Sequence, residues 1–438
     1  MESNEIVSLA NKTASSSTTS ANPEPKPQFT RYQTFVVGLL AFLQFAVILD
    51  FMIMSPLGAL IMPAMEITPR QFGLIVSAYA FSAGVSGLLM AGFADRYDRK
   101  QILLVFYIGF VAGTVWCGLA QTFPMLLLAR IVTGIFGGVI GSIVLAIATD
   151  LFVPQLRGRV MGIIQTAFAA SQVLGLPVGI YLSNRWSWHA PFLVMAALGT
   201  AGGLIIAWRM QPVADHLKAP QEHSAFRHLV NTIIDPRHLT AFATTALLMT
   251  GGFMLMPFSS AFTVNNLGIS IEHLPTIYLI TGLCTIFVGP LVGKAADTFG
   301  KIPVFMAGSV VTIIMVTIYT HLGVVPFATV ILVNVLMFIG IFSRMIPYQA
   351  LVTSVPDITK RGSFNAVSAS IQQFAGGFGS IVAGHIVAFG ADGKLQHFAL
   401  IGYIVIGTTI TTAVLAWHIQ NGIQKRSEQI PDLAVLRS

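Results

Sequence analysis

The chain alternates long apolar runs with short polar breaks, and the runs are continuous rather than alternating at every second residue. Each is about 20 residues or longer, enough for one helix to cross a hydrocarbon layer. Apolar spans are expected near 34–62, 71–94, 102–122, 125–150, 160–183 and 190–209. A second set follows near 239–265, 274–295, 303–323, 326–352, 364–390 and 397–420. The pattern predicts an all-α membrane protein with twelve transmembrane helices, grouped as two six-helix bundles over 31–209 and 239–420. Between them, 210–238 is the most polar internal stretch, holding Asp215, Lys218, Glu222, Arg227, Asp235 and Arg237, and reads as a linker. Residues 1–30 are rich in Ser, Thr and Pro and lack the apolar centre of a signal peptide, so they read as a disordered tail; 421–438 forms a second tail.

Composition narrows the class further. Of 438 residues, 55% are hydrophobic and 9% charged, against about 25% charged in an ordinary soluble protein. A water-soluble globule is excluded, and an outer-membrane β-barrel would show alternating segments of about ten residues. The net charge of +7 is informative through its distribution. Of the 24 basic residues, only Arg70, Arg185 and Lys394 fall on one side of the expected membrane and Arg130 and Arg344 within spans; all others lie in the tails and loops of the opposite side. The positive-inside rule then places both termini in the cytoplasm, with the chain in a plasma (bacterial inner) membrane. No nucleic-acid partner is implied. Cys117 and Cys284 each sit inside an apolar run, away from metal-ligand spacing, and read as small core residues.

The two halves echo one another at their most polar loops. Ala91-Gly-Phe-Ala-Asp95-Arg96-Tyr-Asp-Arg99-Lys100 follows the second span, and Gly293-Lys-Ala-Ala-Asp297-Thr-Phe-Gly300-Lys301 follows the eighth. Pro154-Gln-Leu-Arg157-Gly158-Arg after the fourth span is matched by Pro356-Asp-Ile-Thr-Lys-Arg361-Gly362 after the tenth. Asp95 and Asp297 stand 202 positions apart, Arg157 and Arg361 204 apart. Such duplicated halves, with a site between them, are a transporter architecture.

On these residues the chain resembles the major facilitator superfamily over nearly its whole length after the first tail. The loop after span two is similar to that family's signature Gly-x-Leu-Ala-Asp-Arg-x-Gly-Arg-Lys, with Ala91 and Asp98 where glycine is usual. Arg130-Ile-Val-Thr-Gly134-Ile-Phe-Gly137-Gly138 resembles the fourth-span motif of proton-coupled members, and Gly175-Leu-Pro177 the Gly-Pro element of antiporters with one extra residue. The whole is most similar to proton-coupled drug or metabolite exporters of the arabinose-efflux-permease-like group. The resemblance implies secondary active transport by alternating access: export of a small organic molecule in exchange for protons, by a monomer without cofactors. Uptake of an organic anion and a transporter-like ligand sensor are the alternatives. An enzyme is not expected, since the sequence lacks Gly-x-Ser-x-Gly, His-Glu-x-x-His and a nucleotide-binding loop.

A few side chains carry the expected chemistry. Asp50 is the only acid in the middle of a span. Burial favours a neutral carboxyl, a nearby cation favours an ionised one, and a proton carrier must alternate between the two. Arg130 cannot escape its own cost by losing a proton, so it needs an anion or carbonyl partner, and a transient pair with Asp50 is expected. Gly134, Gly137 and Gly141 fall on its side of the helix and mark a close approach or a widening. Arg344 is expected either to face the cavity as part of an anionic-substrate clamp or to snorkel toward the cytoplasm. Gln165, Gln349 and Asn334 join it as candidate substrate contacts, or serve as contacts between helices. Asp95 is expected to latch onto the start of span eleven near Arg361, with Arg96 and Arg99 beside it, and Arg157 with Asp297 to form the mirror-image latch. No metal site is expected.

Overall fold

The structure, a computed structural model, describes residues 28–90, 96–214, 217, 225–357 and 360–429. Twelve membrane-length helical spans run through the described residues. Spans 1 to 6 are Arg31–Ile53, Pro69–Met90, Arg99–Leu119, Phe123–Leu151, Pro154–Arg185 and Ala190–Arg209. Spans 7 to 12 are Pro236–Asn265, Ile271–Phe299, Lys301–His321, Phe327–Val352, Arg361–Ile386 and Phe398–Gln429. Eleven are apolar enough to cross a membrane on composition alone. Span 11 has the length but is built from Gly, Ala, Ser and Gln, because it packs tightly on span 2 rather than facing lipid. A Cβ on Gly73 of span 2 would lie 2.6 Å from the Ser380 carbonyl, an approach only a small residue allows.

Several boundaries differ from the apolar pattern, for local reasons. Span 1 starts at a capping box between Thr30 and Gln33, and ends at Ile53 rather than running on to 62, because Pro56 cannot continue the helical ladder. A separate turn, Gly58–Ala64, follows. Span 7 begins three residues earlier than expected, since Asp235 caps it by accepting from the Arg237 N–H. It too breaks at a proline, in the 3-10 turn Met256–Phe258. Span 11 stops at Ile386, and the residues after it form a two-stranded hairpin pairing Ala388 with Gln396 and Phe389 with Leu395. Within the linker, Ala225–Ile234 is a helix whose Leu229 packs into the second bundle. Span 12 extends to Gln429, past the apolar stretch.

The cores show how the bundles meet. On the side away from the termini, one continuous apolar core takes Met52, Ile53 and Leu57 from the first bundle and Met254, Leu255 and Phe258 from the second. On the terminus-bearing side there are two: Leu40, Leu43, Val144 and Val160 in one, Phe242, Phe305, Tyr348 and Phe364 in the other. Spans 2 and 11 stay packed along their length, Gly84 against Phe374. Spans 5 and 8 touch where a Cβ on Gly282 would meet the Gln172 carbonyl at 2.9 Å, whereas Gly162 and Gly289, further toward the termini, have open space beside them. The halves are joined on the far side and parted on the near side.

Candidate functional site

Asp50 lies one turn before the break in span 1. At that break the Met54 N–H turns to Met52 O, leaving the Asp50 carbonyl free. Arg130, two turns into span 4, donates from Nη1 to the Asp50 carboxylate Oδ2 at 2.7 Å and to that carbonyl at 3.3 Å. The other carboxylate oxygen accepts from Thr114 Oγ1 of span 3 at 3.2 Å. Tyr79 of span 2 lays its ring 4.5 Å from the guanidinium carbon. Four helices of the first bundle thus close around one ion pair, with Asp50 at 0% and Arg130 at 1% exposure. Arg130 Nε remains without a partner. A pair of this geometry, sealed from water, holds only while both charges are present; adding a proton to the carboxyl removes the attraction and leaves the cation alone.

The glycines on the Arg130 side of span 4 serve close approach. A Cβ on Gly134 would lie 2.5 Å from the Tyr79 carbonyl, and one on Gly138 2.5 Å from that of Ala83. Span 2 therefore rides directly on span 4 and brings the Tyr79 ring over the cation. Gly141, further along, faces only the Gln44 amide.

Arg344 is enclosed within the second bundle and does not lie open to a cavity. It sits inside the second bundle, 7% exposed, with Nη2 donating to Thr412 Oγ1 of span 12 at 2.7 Å and the guanidinium 5.6 Å from the Phe305 ring of span 9. Spans 9 and 12 cover it there, and the Phe305 ring it approaches belongs to the second bundle's core on the terminus-bearing side. Asn334 bonds back to the Val330 carbonyl of its own helix at 2.9 Å. Gln165 and Gln349 are exposed. Of the expected substrate contacts, Gln165 and Gln349 are thus open, whereas Asn334 and Arg344 are buried.

Of the expected latches, Asp95 lies outside the described residues. Arg96 and Arg361 are exposed, whereas Arg99 is buried and pairs with Asp150 at 3.1 Å, tying span 3 to span 4 within one bundle. The mirror-image latch is absent among the described residues: Arg157 caps the end of span 4 instead, donating to the Thr149 and Phe152 carbonyls at 2.8 and 3.0 Å, and Asp297 is exposed with no ion pair there. An arginine in the first turn of the next helix finds the unpaired carbonyls of the preceding helix end close by, and these win over a distant carboxylate. Asp98, standing where glycine is usual, accepts from Lys100 N at 2.7 Å as the cap of span 3 and from Val213 N at 3.2 Å, so it docks the start of the linker.

The contacts that join the bundles were not evident from the sequence. Ser55, at the break in span 1, donates to the Met256 carbonyl at the break in span 7, while Ser260 returns a bond to the Ser55 carbonyl at 3.1 Å and accepts from Ala59 N at 3.3 Å. The Phe51 and Phe253 rings meet beside them with centres 5.5 Å apart. The matching Pro56 and Pro257 were the available signal: each frees carbonyls at the same level of the two repeats. A π turn, Ser171–Gly175, ends just before Leu176, the residue extra to the Gly-Pro element.

Twelve spans in two like bundles, sealed at one face and carrying a buried ion pair, define a secondary transporter of the membrane. The sequence pattern of the Major Facilitator Superfamily matches residues 40–384 and 241–421, and the chain belongs to that family, whose members are transporters and not enzymes. It is 24% identical over 398 residues to the uncharacterized MFS-type transporter YceJ of Bacillus subtilis (strain 168), covering 90% of this chain and 97% of that one. Multidrug resistance protein 3 of the same organism is 29% identical over 164 residues, 37% of this chain and 32% of that one. Among solved structures, a bacterial homolog of the human lysosomal transporter Spinster, inward-facing and unoccupied, superposes with a TM-score of 0.67 at 17% identity, covering 90% of this chain and 96% of that one. A mutant form of the nucleoside transporter NupG gives 0.69 at 16% identity, covering 88% and 99%. These two likenesses establish the fold.

Proposed function

We propose that this transporter exports a small organic molecule in exchange for protons, with both termini in the cytoplasm of a bacterial inner membrane. The observation that carries the reading is the sealed Asp50–Arg130 pair. Ionisable residues at membrane depth are costly and belong to ion pathways. In the conformation described here the near side is parted and the pair is intact. Protonation of Asp50 would release Arg130, and the freed cation would then be stabilised by turning toward water or the Asp50 carbonyl, loosening the joints between spans 1, 3 and 4. Loss of the proton on the other face would restore the pair. The basic loops support a cytoplasmic near side, which makes this conformation inward-facing. The multidrug resistance relative supports export, and Asp95, Arg96, Arg99, Arg157, Asp297 and Arg361 remain the proposed gating residues. An organic-anion clamp is less well supported, because Arg130 and Arg344 lie within separate bundles.

In proteoliposomes, Asp50→Asn is expected to lose transport driven by a pH gradient while retaining substrate counterflow. Undiminished pH-driven transport by that variant would overturn the assignment. Addition of substrate to wild-type vesicles should move protons opposite to the cargo; movement with it would favour uptake.

A further inference from the structure

The second bundle buries a charge that nothing described in it balances. Arg344 has one hydrogen-bonded nitrogen, Nη2 on Thr412, and its Nε is buried without a partner. No carboxylate lies within ion-pair distance among the described residues, whereas Arg130 in the first bundle has Asp50. One turn before Thr412 on span 12, Thr409 is 1% exposed, and its Oγ1 is also without a partner. Thr412 already donates to the Thr409 carbonyl at 2.9 Å, so its hydroxyl proton is committed. The crossing of spans 9, 10 and 12 therefore holds one guanidinium N–H and one hydroxyl O–H, both buried, both lacking an acceptor, and beside a fixed positive charge. Buried donors are rarely left so, and an uncompensated cation in an apolar interior is costly.

We propose that this crossing is an anion site, in which a monovalent anion of chloride size accepts from Arg344 Nε and Thr409 Oγ1 and neutralises the guanidinium. The chemistry of the donors fixes the ligand class: two hydrogen bonds to be accepted and one negative charge. The donor set suits a small ion: two single donors, both buried and without a partner, offer no polar surface for a larger organic cargo. The Phe305 ring closes the face of the guanidinium, so the ion approaches along its Nε edge.

The purified full-length protein in detergent tests this by its melting temperature in sodium chloride, sodium bromide and sodium gluconate at constant ionic strength. Chloride and bromide should each raise it, saturably, by about 2–4 °C over gluconate. Thr409→Val, which keeps size and removes the donor, should cut that shift by at least half, and Arg344→Gln should abolish it. Crystals grown in bromide should show an anomalous peak within hydrogen-bond distance of Arg344 Nε. Identical melting in chloride and gluconate, or a full shift in Thr409→Val together with a bromide peak elsewhere, would overturn the site. Should Arg344→Gln fail to fold, Thr409→Val and the bromide position decide alone. Proton coupling at Asp50 plays no part in these readouts, so either proposal can fail without the other.

Discussion

Both bundles bury an arginine on the fourth helix of their repeat, yet the two are treated in opposite ways. Arg130 meets a carboxylate, itself supported by the Thr114 hydroxyl, and an aromatic face; Arg344 meets a hydroxyl and an aromatic face only. Nor are they repeat-equivalents. With the loops offset by 202 to 204 positions, the counterpart of Asp50 is Gly252 and that of Arg130 is Asn334, neither of which is charged. Duplication has preserved the helical plan while the ionisable chemistry has become private to each half. Under the proposed mechanism, a titrating group confined to one of two rocking bodies would bias their relative position, which two identical groups would not do as directly.

The largest expected effect breaks that contrast from the first bundle. Arg130→Met leaves Asp50 buried and alone, and should cost about 3–5 kcal/mol of stability with loss of transport. The double variant Asp50→Leu/Arg130→Met should regain most of the stability and none of the proton-driven transport, as thermal unfolding and vesicle assays would show. If both variants melt like wild type, the pair is not the centre of the bundle. The same surgery in the second bundle should be mild: Arg344→Met, assayed in gluconate, should change stability by less than about 1 kcal/mol, since it removes a charge rather than orphaning one.

A smaller effect lies at the joint between the bundles. Ser55→Ala deletes one bond across the far side, worth about 1 kcal/mol, and should shift the conformational balance toward far-side opening by about five-fold. Labelling rates of a cysteine placed at Ala59 would report it; unchanged rates would remove Ser55 from the gate. The smallest effect is at the linker. The Arg237 N–H and then Lys360 hold the Asp235 carboxyl below its usual range, so its contribution is present at neutral pH and fades as pH falls below about 4. Asp235→Asn should lower stability by well under about 1 kcal/mol at pH 7, and its melting curve should converge with wild type in acid.

Much of the fold was legible because membrane helices announce themselves by continuous apolar length, and because the loops carry the charge asymmetry. Span 11 was expected as one more apolar run near 364–390, although its Gly, Ser and Gln content makes it less apolar than the other spans. The helix breaks were less visible: Pro56 and Pro257 were present, but a proline in a span permits either a kink or a stop, and only packing against the other half decides. At the site, Asp50 and Arg130 stood out because ions are rare at that depth. Thr114 and Tyr79 did not, since a threonine and a tyrosine in an apolar run are ordinary and gain meaning only from the crossing of spans 2, 3 and 4. Arg344 could not be oriented from sequence, because the helical face it occupies is polar and apolar by turns.

The aspartate at position 98 has a consequence for the whole machine. By holding Val213 against the first bundle, while Leu229 is sunk into the second, it shortens the connection between the halves to the stretch from Val213 to Ala225. Even drawn taut, about twelve peptide steps reach at most about 40 Å. The two bodies are thus leashed, and the leash sets an upper limit on how wide the mouth they form on that face can gape.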